Sequence, residues 1–264
     1  MSERHPHGQA TAEIVDEHIL HIVMDRVEKK NSFTPKIIIE ISEHLTRLDE
    51  DPDLWVGVIS FAGDHSSGGL DMPLFFGPDA DRTALDRGVG VDPFGLRQRL
   101  RKPLVTAVQG ITYTAAIEMA LAGDIIISAE DAKFSQIEPR RGLTALGGAT
   151  IRYVERAGWG NAMLHLLTGD VFDAAEAYRI GLVQEVVPVG RQVERALEIA
   201  REIARCAPIA VRETIANARI AILDGEQAAI DDMPRVRREF MKSEDITEGI
   251  ASFRERRDAR FTGR

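Results

Sequence analysis

Glu118 is a glutamate in an apolar part of the sequence, where burying its carboxylate would cost free energy unless the group has a chemical role. It lies within the apolar stretch "TYTAAIEMALAGD", residues 112–124. Burying a carboxylate among such neighbours costs free energy unless the group is paired or used. The stretch predicts a small-residue turn that runs into an apolar helix. The alternative is a partly buried helix with Glu118 facing solvent, and the stretch alone favours neither interpretation.

A second glutamate, Glu138, occurs in "KFSQIEPRRG", residues 133–142. Because a proline follows it, its backbone is biased toward an extended conformation, which predicts a loop after a strand. Two glutamates on different elements could divide general acid and general base work between them. In isolation, a surface ion pair between Glu138 and Arg140 or Arg141 is the simpler interpretation.

Two small-residue segments could bring backbone amides to a ligand. "HSSGGLDM", residues 65–72, follows a predicted buried strand, and glycine lets the backbone approach a ligand closely. Thr114-Ala115-Ala116 stands where a helix begins, so its amides have no partner within the helix. Two such amides that converge on one oxygen form an oxyanion hole. The simpler interpretation of residues 65–72 is a turn in which Asp71 caps the next helix.

Other chemistries find less support. No Walker A or Gly-x-Gly-x-x-Gly pattern follows a strand, and the seven histidines have no metal-ligand spacing, so we predict no metal and no separate cofactor. His65, Ser66 and Asp71 are neighbours on one loop, which rarely gives triad geometry. Cys206 is the single cysteine, and we expect a packed thiol there.

Composition narrows the class of protein further. The 264 residues are 44% hydrophobic, enough for one large domain or a domain with a small extension. The net charge of −9 argues against nucleic acid or an anionic membrane as the main partner. The N-terminus lacks the apolar core of a signal peptide, and Glu118, Gly123 and Asp124 interrupt the best candidate for a membrane span. We therefore expect a soluble, cytoplasmic protein.

The pattern of elements predicts an α/β core with mostly parallel strands. A hairpin is predicted over residues 11–25 and a helix from Thr34-Pro35 to Asp51-Pro52. Further strands are predicted at residues 55–63, 104–110, 124–129, 132–136 and 183–188, with an irregular insertion at 74–95 and mainly helix from 147 onward. The amphipathic last third is expected to be a helical cap or an oligomerisation element.

Segments over nearly the whole chain resemble, in order, those of the crotonase (enoyl-CoA hydratase/isomerase) superfamily. The six segments are "MDRVEKKNSFTPKIIIEISEHLTRLDEDPDLWVGVIS", "SSGGLDM", "VQGITYTAAIEMALAGDIIIS", "AKFSQIEPRRGLTALGGATIRYVERAG", "LLTGDVFDAAEAYRIGLVQEVVP" and "SEDITEGIASFRERRDARFTGR". The resemblance implies a crotonase-like spiral of ββα turns with a helical C-terminal region. It assigns residues 1–190 to the spiral core with the acyl-CoA site, and 191–264 to oligomerisation and site closure. It also implies a homotrimer or a dimer of trimers.

Roles for individual residues follow from the same resemblance. Glu118 and Glu138 fall on the two positions of the catalytic glutamates. Gly68, or Gly69 if the register shifts by one, and Ala115 would donate the oxyanion-hole amides. Coenzyme A, which is part of the substrate, would be contacted by a further set of residues. These are Arg26, Lys29, Lys30, Gly69 and Asp71.

Two retained glutamates favour an enoyl-CoA hydratase-like lyase as the function the resemblance implies, in fatty acid metabolism. The alternatives are a crotonase-type isomerase or carbon–carbon hydrolase, or a non-catalytic acyl-CoA- or RNA-binding relative. The superfamily usually has glycines before the first glutamate, where this chain has Thr114-Ala115-Ala116. We expect their Cβ atoms to be accommodated by a helical start.

Overall fold

The computed structural model describes residues 6–78, 80 and 90–264, which form two β-sheets and a set of helices. The strands in this part of the chain are β1 (Gln9–Val15), β2 (Ile19–Asp25), β3 (Val56–Phe61), β4 (Leu104–Val108), β5 (Ile111–Tyr113), β6 (Ile125–Ala129), β7 (Lys133–Ser135), β8 (Phe172–Asp173) and β9 (Glu185–Val187). The α-helices are α1 (Pro35–Glu50), α2 (Met72–Phe76), α3 (Ala115–Ala122), α4 (Ala149–Thr168), α5 (Ala174–Arg179), α6 (Gln192–Ala204), α7 (Pro208–Asp224), α8 (Glu226–Met241) and α9 (Glu244–Glu255).

The larger sheet has the strand order β1-β2-β3-β4-β6-β9. β1 and β2 form the predicted hairpin, paired antiparallel, with positive φ angles at Asp16 and Glu17 in the turn. Every other neighbouring pair in this sheet is parallel. The predicted parallel α/β core is therefore confirmed.

A second, three-stranded sheet, in the order β5-β7-β8, accounts for the spiral. β4 and β6 are each followed at once by a short strand of this second sheet, β5 and β7, which pair parallel to each other. Isolated parallel bridges between Ser67 and Thr112 and between Phe33 and Leu70 continue this second layer into the preceding turns of the spiral. Each turn thus passes from one sheet to the next layer and then into a helix. Strand β5, which the sequence analysis did not separate from the following helix, is part of this step.

Two apolar cores hold the layers together. The larger core lies between the six-stranded sheet and helices α1, α3 and α4, and includes Ile22, Leu45 and Met119. The smaller core lies on the other face of the sheet, where Ala196 and Ala200 of α6 pack against Val58 and its neighbours. Helix α6 is therefore part of the core, although it lies within the predicted C-terminal region.

Helix α1 begins and ends as the sequence predicts. The Thr34 side chain accepts a hydrogen bond from the amide of Ile37 (3.2 Å), and Pro35 occupies the first helical position. Such a cap satisfies one of the unpaired amides of the first turn and typically stabilises a helix by about 1 kcal/mol. The helix ends at Glu50, immediately before Asp51-Pro52.

The C-terminal helices α7, α8 and α9 confirm the predicted helical last third. They carry large apolar side chains that are exposed on the single chain, among them Ile222, Met233 and Phe253, the last 85% exposed. Cys206 lies just beyond the end of α6 and is exposed, so the prediction of a packed thiol is wrong.

The predicted irregular insertion at 74–95 is covered only in part, because residues 79 and 81–89 lie outside the described residues. Its first residues instead complete the short helix α2, and Phe75 is buried. Within the described part of the chain, no helix is both long and apolar enough to cross a membrane.

Candidate active site

The ends of three successive turns of the spiral meet at one place. The amide of Ser67 donates to the carbonyl of Ile111 (2.9 Å), and the amide of Tyr113 donates back to Ser67 (3.0 Å). The amide of Thr114 donates to the carbonyl of Ser135 (3.0 Å). These bonds place the three segments singled out in the sequence side by side, although they are far apart along the chain.

Glu118 lies in the first turn of α3 and is 5% exposed, so the solvent-facing alternative is wrong. Its Oε1 atom accepts hydrogen bonds from the amides of Gly147 (2.7 Å) and Ala149 (3.2 Å). Burial raises the pKa of Glu118, and these two amides oppose that rise. The carboxylate is therefore held in place on one oxygen, by the segment that leads into α4.

Glu138 begins a short 3₁₀ turn, Glu138–Arg141, and is 9% exposed. Burial raises the pKa of Glu138 to about 7, and the charge of Glu118 acts in the same direction. Its Oε2 atom is buried and has no hydrogen-bond partner among the described residues. The surface ion pair is not formed, since Arg140 donates instead to the carbonyl of Thr168. Two buried carboxyl groups thus lie close enough to influence each other.

Two of the loops that meet here carry backbone amides without a partner. Ala115 is the first residue of α3, and no side chain caps this helix, so its amide is unpaired within the helix. In the other loop, the amide of Gly68 donates to the carbonyl of Lys30 (2.9 Å) and that of Gly69 to Ser67 Oγ (3.0 Å). The next amide, that of Leu70, makes no hydrogen bond within the described residues. Among the three consecutive residues 68–70 of the described chain, Leu70 is thus the one with an unpaired amide.

The direction of the Leu70 amide follows from a local bridge. The amide of Phe33 donates to the carbonyl of Gly69, and the amide of Asp71 donates to the carbonyl of Phe33, both at 2.9 Å. In such a parallel bridge, the amide of the residue between, here Leu70, points away from the partner strand. The amide is therefore directed away from the α1 side of the loop.

Thr114 departs from the predicted helical start. Its backbone has φ 50° and ψ −115°, while Ala115 and Ala116 are helical as expected. A positive φ is a genuine outlier for a β-branched residue, and such strain costs on the order of 1–3 kcal/mol. Position 114 therefore has a positive-φ backbone conformation that glycine adopts most easily, although the residue there is threonine.

The residues predicted to contact coenzyme A separate into two groups. Arg26 is 5% exposed, and its Nη1 donates to Asp71 Oδ2 (2.7 Å) and to Ser32 Oγ (2.9 Å). Arg26 and Asp71 thus neutralise each other inside the protein. Lys29 and Lys30 are exposed at the end of a 3₁₀ turn, beside the loop that carries the Leu70 amide.

Asn31 connects the turn that carries Lys29 and Lys30 to the loop after β3 through hydrogen bonds. Its Oδ1 accepts from the amide of Arg26 (2.7 Å), and its Nδ2 donates to the carbonyls of Ala62 and His65, both at 2.8 Å. The side chain is 1% exposed, and the backbone has φ 50°, which asparagine tolerates better than most residues. The position of the Leu70 loop therefore depends on Asn31.

Sequence reasoning missed Leu70, Gly147 and Tyr153. Tyr153, on α4, is fully buried, and its hydroxyl has no partner among the described residues. Burial and, after it, the charges of Glu138 and Glu118 raise the pKa of Tyr153 well above its usual value. The signal that could have found Gly147 is the Gly-Gly pair just before a helix. A tyrosine inside a helix gives no comparable signal.

The alternative chemistries find no support in the described residues. His65, Ser66 and Asp71 bond in three different directions, namely to the amide of Ile111, to Gln109 and to Arg26. No three His, Cys, Asp or Glu side chains in this part of the chain come together as a metal site.

Two sheets wound in a spiral, followed by a helical C-terminal region, define the α/β crotonase fold. The chain belongs to the enoyl-CoA hydratase/isomerase family, whose model matches residues 15–264. It is 29% identical over 250 residues to the enoyl-CoA hydratase EchA19 of Mycobacterium tuberculosis, with 94% of each chain covered. It is 30% identical over 251 residues to a crotonyl-CoA hydratase of Syntrophomonas wolfei, covering 93% of this chain and 95% of that protein.

A solved structure gives a closer match. The crystal structure of a probable enoyl-CoA hydratase/isomerase from Mycobacterium abscessus is 40% identical to this chain, with a TM-score of 0.90. The match covers 97% of this chain and 98% of that one. The resemblance stated from the sequence is therefore confirmed at the level of family and fold. Homologues near 30% identity are named enoyl-CoA hydratases.

Proposed function

We propose that the protein is an enoyl-CoA hydratase-like lyase, which adds water across the 2,3 double bond of an acyl-CoA thioester. The observation that carries this proposal is the pair of buried carboxyl groups, Glu118 and Glu138, beside two unpaired amides. The names of the relatives support the same reaction class.

We assign the oxyanion hole to the amides of Leu70 and Ala115, with Leu70 in place of the predicted Gly68. The Gly68 and Gly69 amides already donate within the protein, whereas those of Leu70 and Ala115 do not. One such donor typically lowers the barrier by about 3–4 kcal/mol, because it meets charge that develops on the carbonyl oxygen. The dipole of α3 acts on that oxygen in the same sense.

We propose different roles for the two glutamates, supported by their different surroundings. Two amide donors favour the ionised form of Glu118 against the opposing effect of burial. We propose that this carboxylate accepts a proton from water as the oxygen of that water bonds to C3. The π electrons then move onto the thioester oxygen as an enolate. Glu138, with a pKa of about 7, can carry a proton at neutral pH and deliver it to C2. The substrate gains one water molecule, and the proton held by Glu118 must return to Glu138, directly or through solvent, before the next turnover.

Among the predicted contacts to coenzyme A, we propose that Lys29 and Lys30 meet its phosphates. Both are exposed next to the loop of the Leu70 amide, and the Lys30 carbonyl is bonded to that loop. A local basic pair of this kind can bind a polyanion on a protein whose net charge is −9. Arg26 and Asp71 would shape this site through their mutual ion pair.

The deciding experiment is a panel of 2-enoyl-CoA thioesters of increasing chain length, followed by the loss of absorbance of the conjugated double bond. Glu118→Gln and Glu138→Gln should each lower kcat by at least about 100-fold, the lower range for general acid or base groups. Glu130→Gln, an exposed glutamate outside the site, is the matched control and should leave kcat unchanged.

Two results would overturn the assignment. Absence of hydration at every chain length would remove the hydratase proposal, as would hydration that survives both substitutions. A shift of the double bond that needs Glu138 but not Glu118 would assign an isomerase instead. Product analysis by mass spectrometry separates these reactions, because hydration adds the mass of water and isomerisation adds none.

We also propose that the chain assembles as a homotrimer or a dimer of trimers through its C-terminal helices. Exposed apolar side chains on α7, α8 and α9 support an interface there, because removing apolar surface from water lowers the free energy of the protein. Light scattering of the purified protein should give three or six times the chain mass. Phe253→Glu should shift that mass toward the monomer, and a wild-type protein that is monomeric at micromolar concentration would overturn this proposal.

A further inference from the structure

Thr114 occupies a strained backbone position on the loop that carries the Ala115 amide, and it faces the loop that carries the Leu70 amide. Its φ of 50° and ψ of −115° suit glycine rather than a β-branched residue. Helix capping does not explain the threonine, since its side chain makes no capping hydrogen bond. Strain of this kind persists where the surroundings fix the residue in place, and it concentrates at functional sites.

The side chain of Thr114 is directed at Gly69 on the opposite loop. A Cβ atom built on Gly69 would lie 2.1 Å from Thr114 Oγ1, but 3.4 Å from its Cβ and 3.7 Å from its Cγ2. The hydroxyl, rather than the methyl group, is therefore the part of the threonine that faces the first loop. Gly69, with φ 100°, provides the space that this hydroxyl needs.

This placement puts a hydroxyl next to both unpaired amides. Gly69 directly precedes the amide of Leu70, and Thr114 directly precedes the amide of Ala115. The threonine is half-buried, and its hydroxyl makes no hydrogen bond with the described residues. A donor that can rotate thus lies beside two unpaired backbone donors, one on each loop.

We propose that the Thr114 hydroxyl is a third hydrogen-bond donor to the thioester oxygen, beside the amides of Leu70 and Ala115. The inference rests on the proposed acyl-CoA thioester substrate. A hydroxyl donates to the enolate oxygen more strongly than to the neutral carbonyl, because the bond strengthens as negative charge develops. Thr114 therefore acts on the transition state more than on substrate binding.

The kinetic test compares Thr114→Val, which keeps the shape but removes the donor, with Thr114→Ser, which keeps the donor. Thr114→Val should lower kcat by about 100-fold with KM little changed, the lower range for loss of one oxyanion-hole donor. Thr114→Ser should stay within about threefold of the wild type, as a retained donor requires. Thr214→Val, an exposed threonine on α7, is the matched control and should have wild-type kcat.

A binding measurement separates this inference from the proposed reaction. Isothermal titration compares butyryl-CoA, a thioester that cannot be hydrated, with an S-butyl-CoA thioether, which lacks the carbonyl oxygen. The wild type should bind the thioester more tightly, and Thr114→Val should lose much of this preference while binding the thioether as before. If the wild type hydrates no enoyl-CoA but shows this Thr114-dependent preference, the reaction assignment fails and the third donor stands.

Three outcomes overturn the inference. Wild-type kcat in Thr114→Val shows that the hydroxyl is not a donor. Equal losses in the Val and Ser variants, with both folded by circular dichroism, indicate a packing role for the threonine. An unchanged preference for the thioester over the thioether in Thr114→Val shows that the hydroxyl does not contact the carbonyl oxygen.

Discussion

The amide of Gly147 donates to Glu118 Oε1 at 2.7 Å, and no side chain larger than hydrogen fits between them. A Cβ atom on Gly147 would lie 2.6 Å from Glu118 Oε2 and 2.8 Å from its Cδ. The approach of this backbone to the carboxylate therefore depends on glycine. The same segment leads directly into α4, so one helix start fixes a carboxylate that belongs to another helix.

Gly147→Ala should displace the Glu118 carboxylate and weaken the bonds that fix it. We expect kcat to fall by about 10- to 100-fold, because even small misplacements of a catalytic group cost this much. Steady-state kinetics on an enoyl-CoA thioester measures the loss. Gly160→Ala, on the exposed part of α4 where a Cβ meets nothing within 4 Å, is the matched control. A Gly147→Ala enzyme with wild-type kcat would show that Glu118 needs no such support.

Glu138→Gln should change how stability depends on pH. The folded pKa of Glu138 is raised from 4.5 to about 7, so the native protein binds more protons than the unfolded chain between these values. Stability from this group is therefore full below pH 4.5 and is lost as pH rises through about 7. The loss amounts to roughly 3 kcal/mol, at 1.36 kcal/mol for each pKa unit. Glutamine, which does not titrate, removes this loss.

Urea unfolding of the wild type and of Glu138→Gln between pH 4 and 8 measures this effect. The two proteins should be similarly stable at pH 4, and the variant should be the more stable one at pH 8. Glu130→Gln, at an exposed position, serves as the reference and should follow the wild type throughout. Parallel curves for the wild type and Glu138→Gln would contradict a raised pKa at Glu138.

Asn31→Ala should destabilise the fold and misplace the Leu70 loop. The substitution removes three hydrogen bonds of a side chain that is 1% exposed, at about 1 kcal/mol each. It also places alanine at φ 50°, which adds strain. Asn31→Gly relieves that strain but lacks the same bonds, so it should lie between alanine and the wild type in urea unfolding. Equal stability of all three proteins would show that these bonds contribute nothing net.

Sequence patterns predicted the helices and strands that are determined by residues within or next to them. The Thr34-Pro35 start and the apolar spacing of α1 lie at or inside the helix that they define. The turn residues of the hairpin likewise lie between its two short strands, β1 and β2. The pairing of Glu118 with Glu138 was predicted only through the family resemblance, because their proximity depends on the bonds among three distant segments. The Leu70 amide could not be found from the sequence, since which amide remains unpaired depends on Lys30 and Ser67.

Thr114 shows the same limit in backbone conformation. Its residue type and the alanines after it predict a helical start, and of these three residues Ala115 and Ala116 are helical. The positive φ at Thr114 accompanies a hydrogen bond from its amide to the carbonyl of Ser135 on a neighbouring turn, a tertiary contact that local propensity cannot predict. Tertiary contacts therefore accompany the departure from local preference at the point where the two loops with unpaired amides meet.

Substitution of Lys29 and Lys30 by alanine should weaken coenzyme A binding without slowing the chemical step. The two ammonium groups are exposed, so their attraction to phosphates is screened by salt, over a Debye length of about 10 Å at 0.1 M ionic strength. We expect KM for an enoyl-CoA thioester to rise about tenfold for the double variant at low salt, which corresponds to about 1.4 kcal/mol. The difference from the wild type should shrink at 0.5 M salt, with kcat unchanged. Lys242→Ala, at an exposed position at the end of α8, is the control. A KM that does not rise at low salt would place the phosphates elsewhere on the protein.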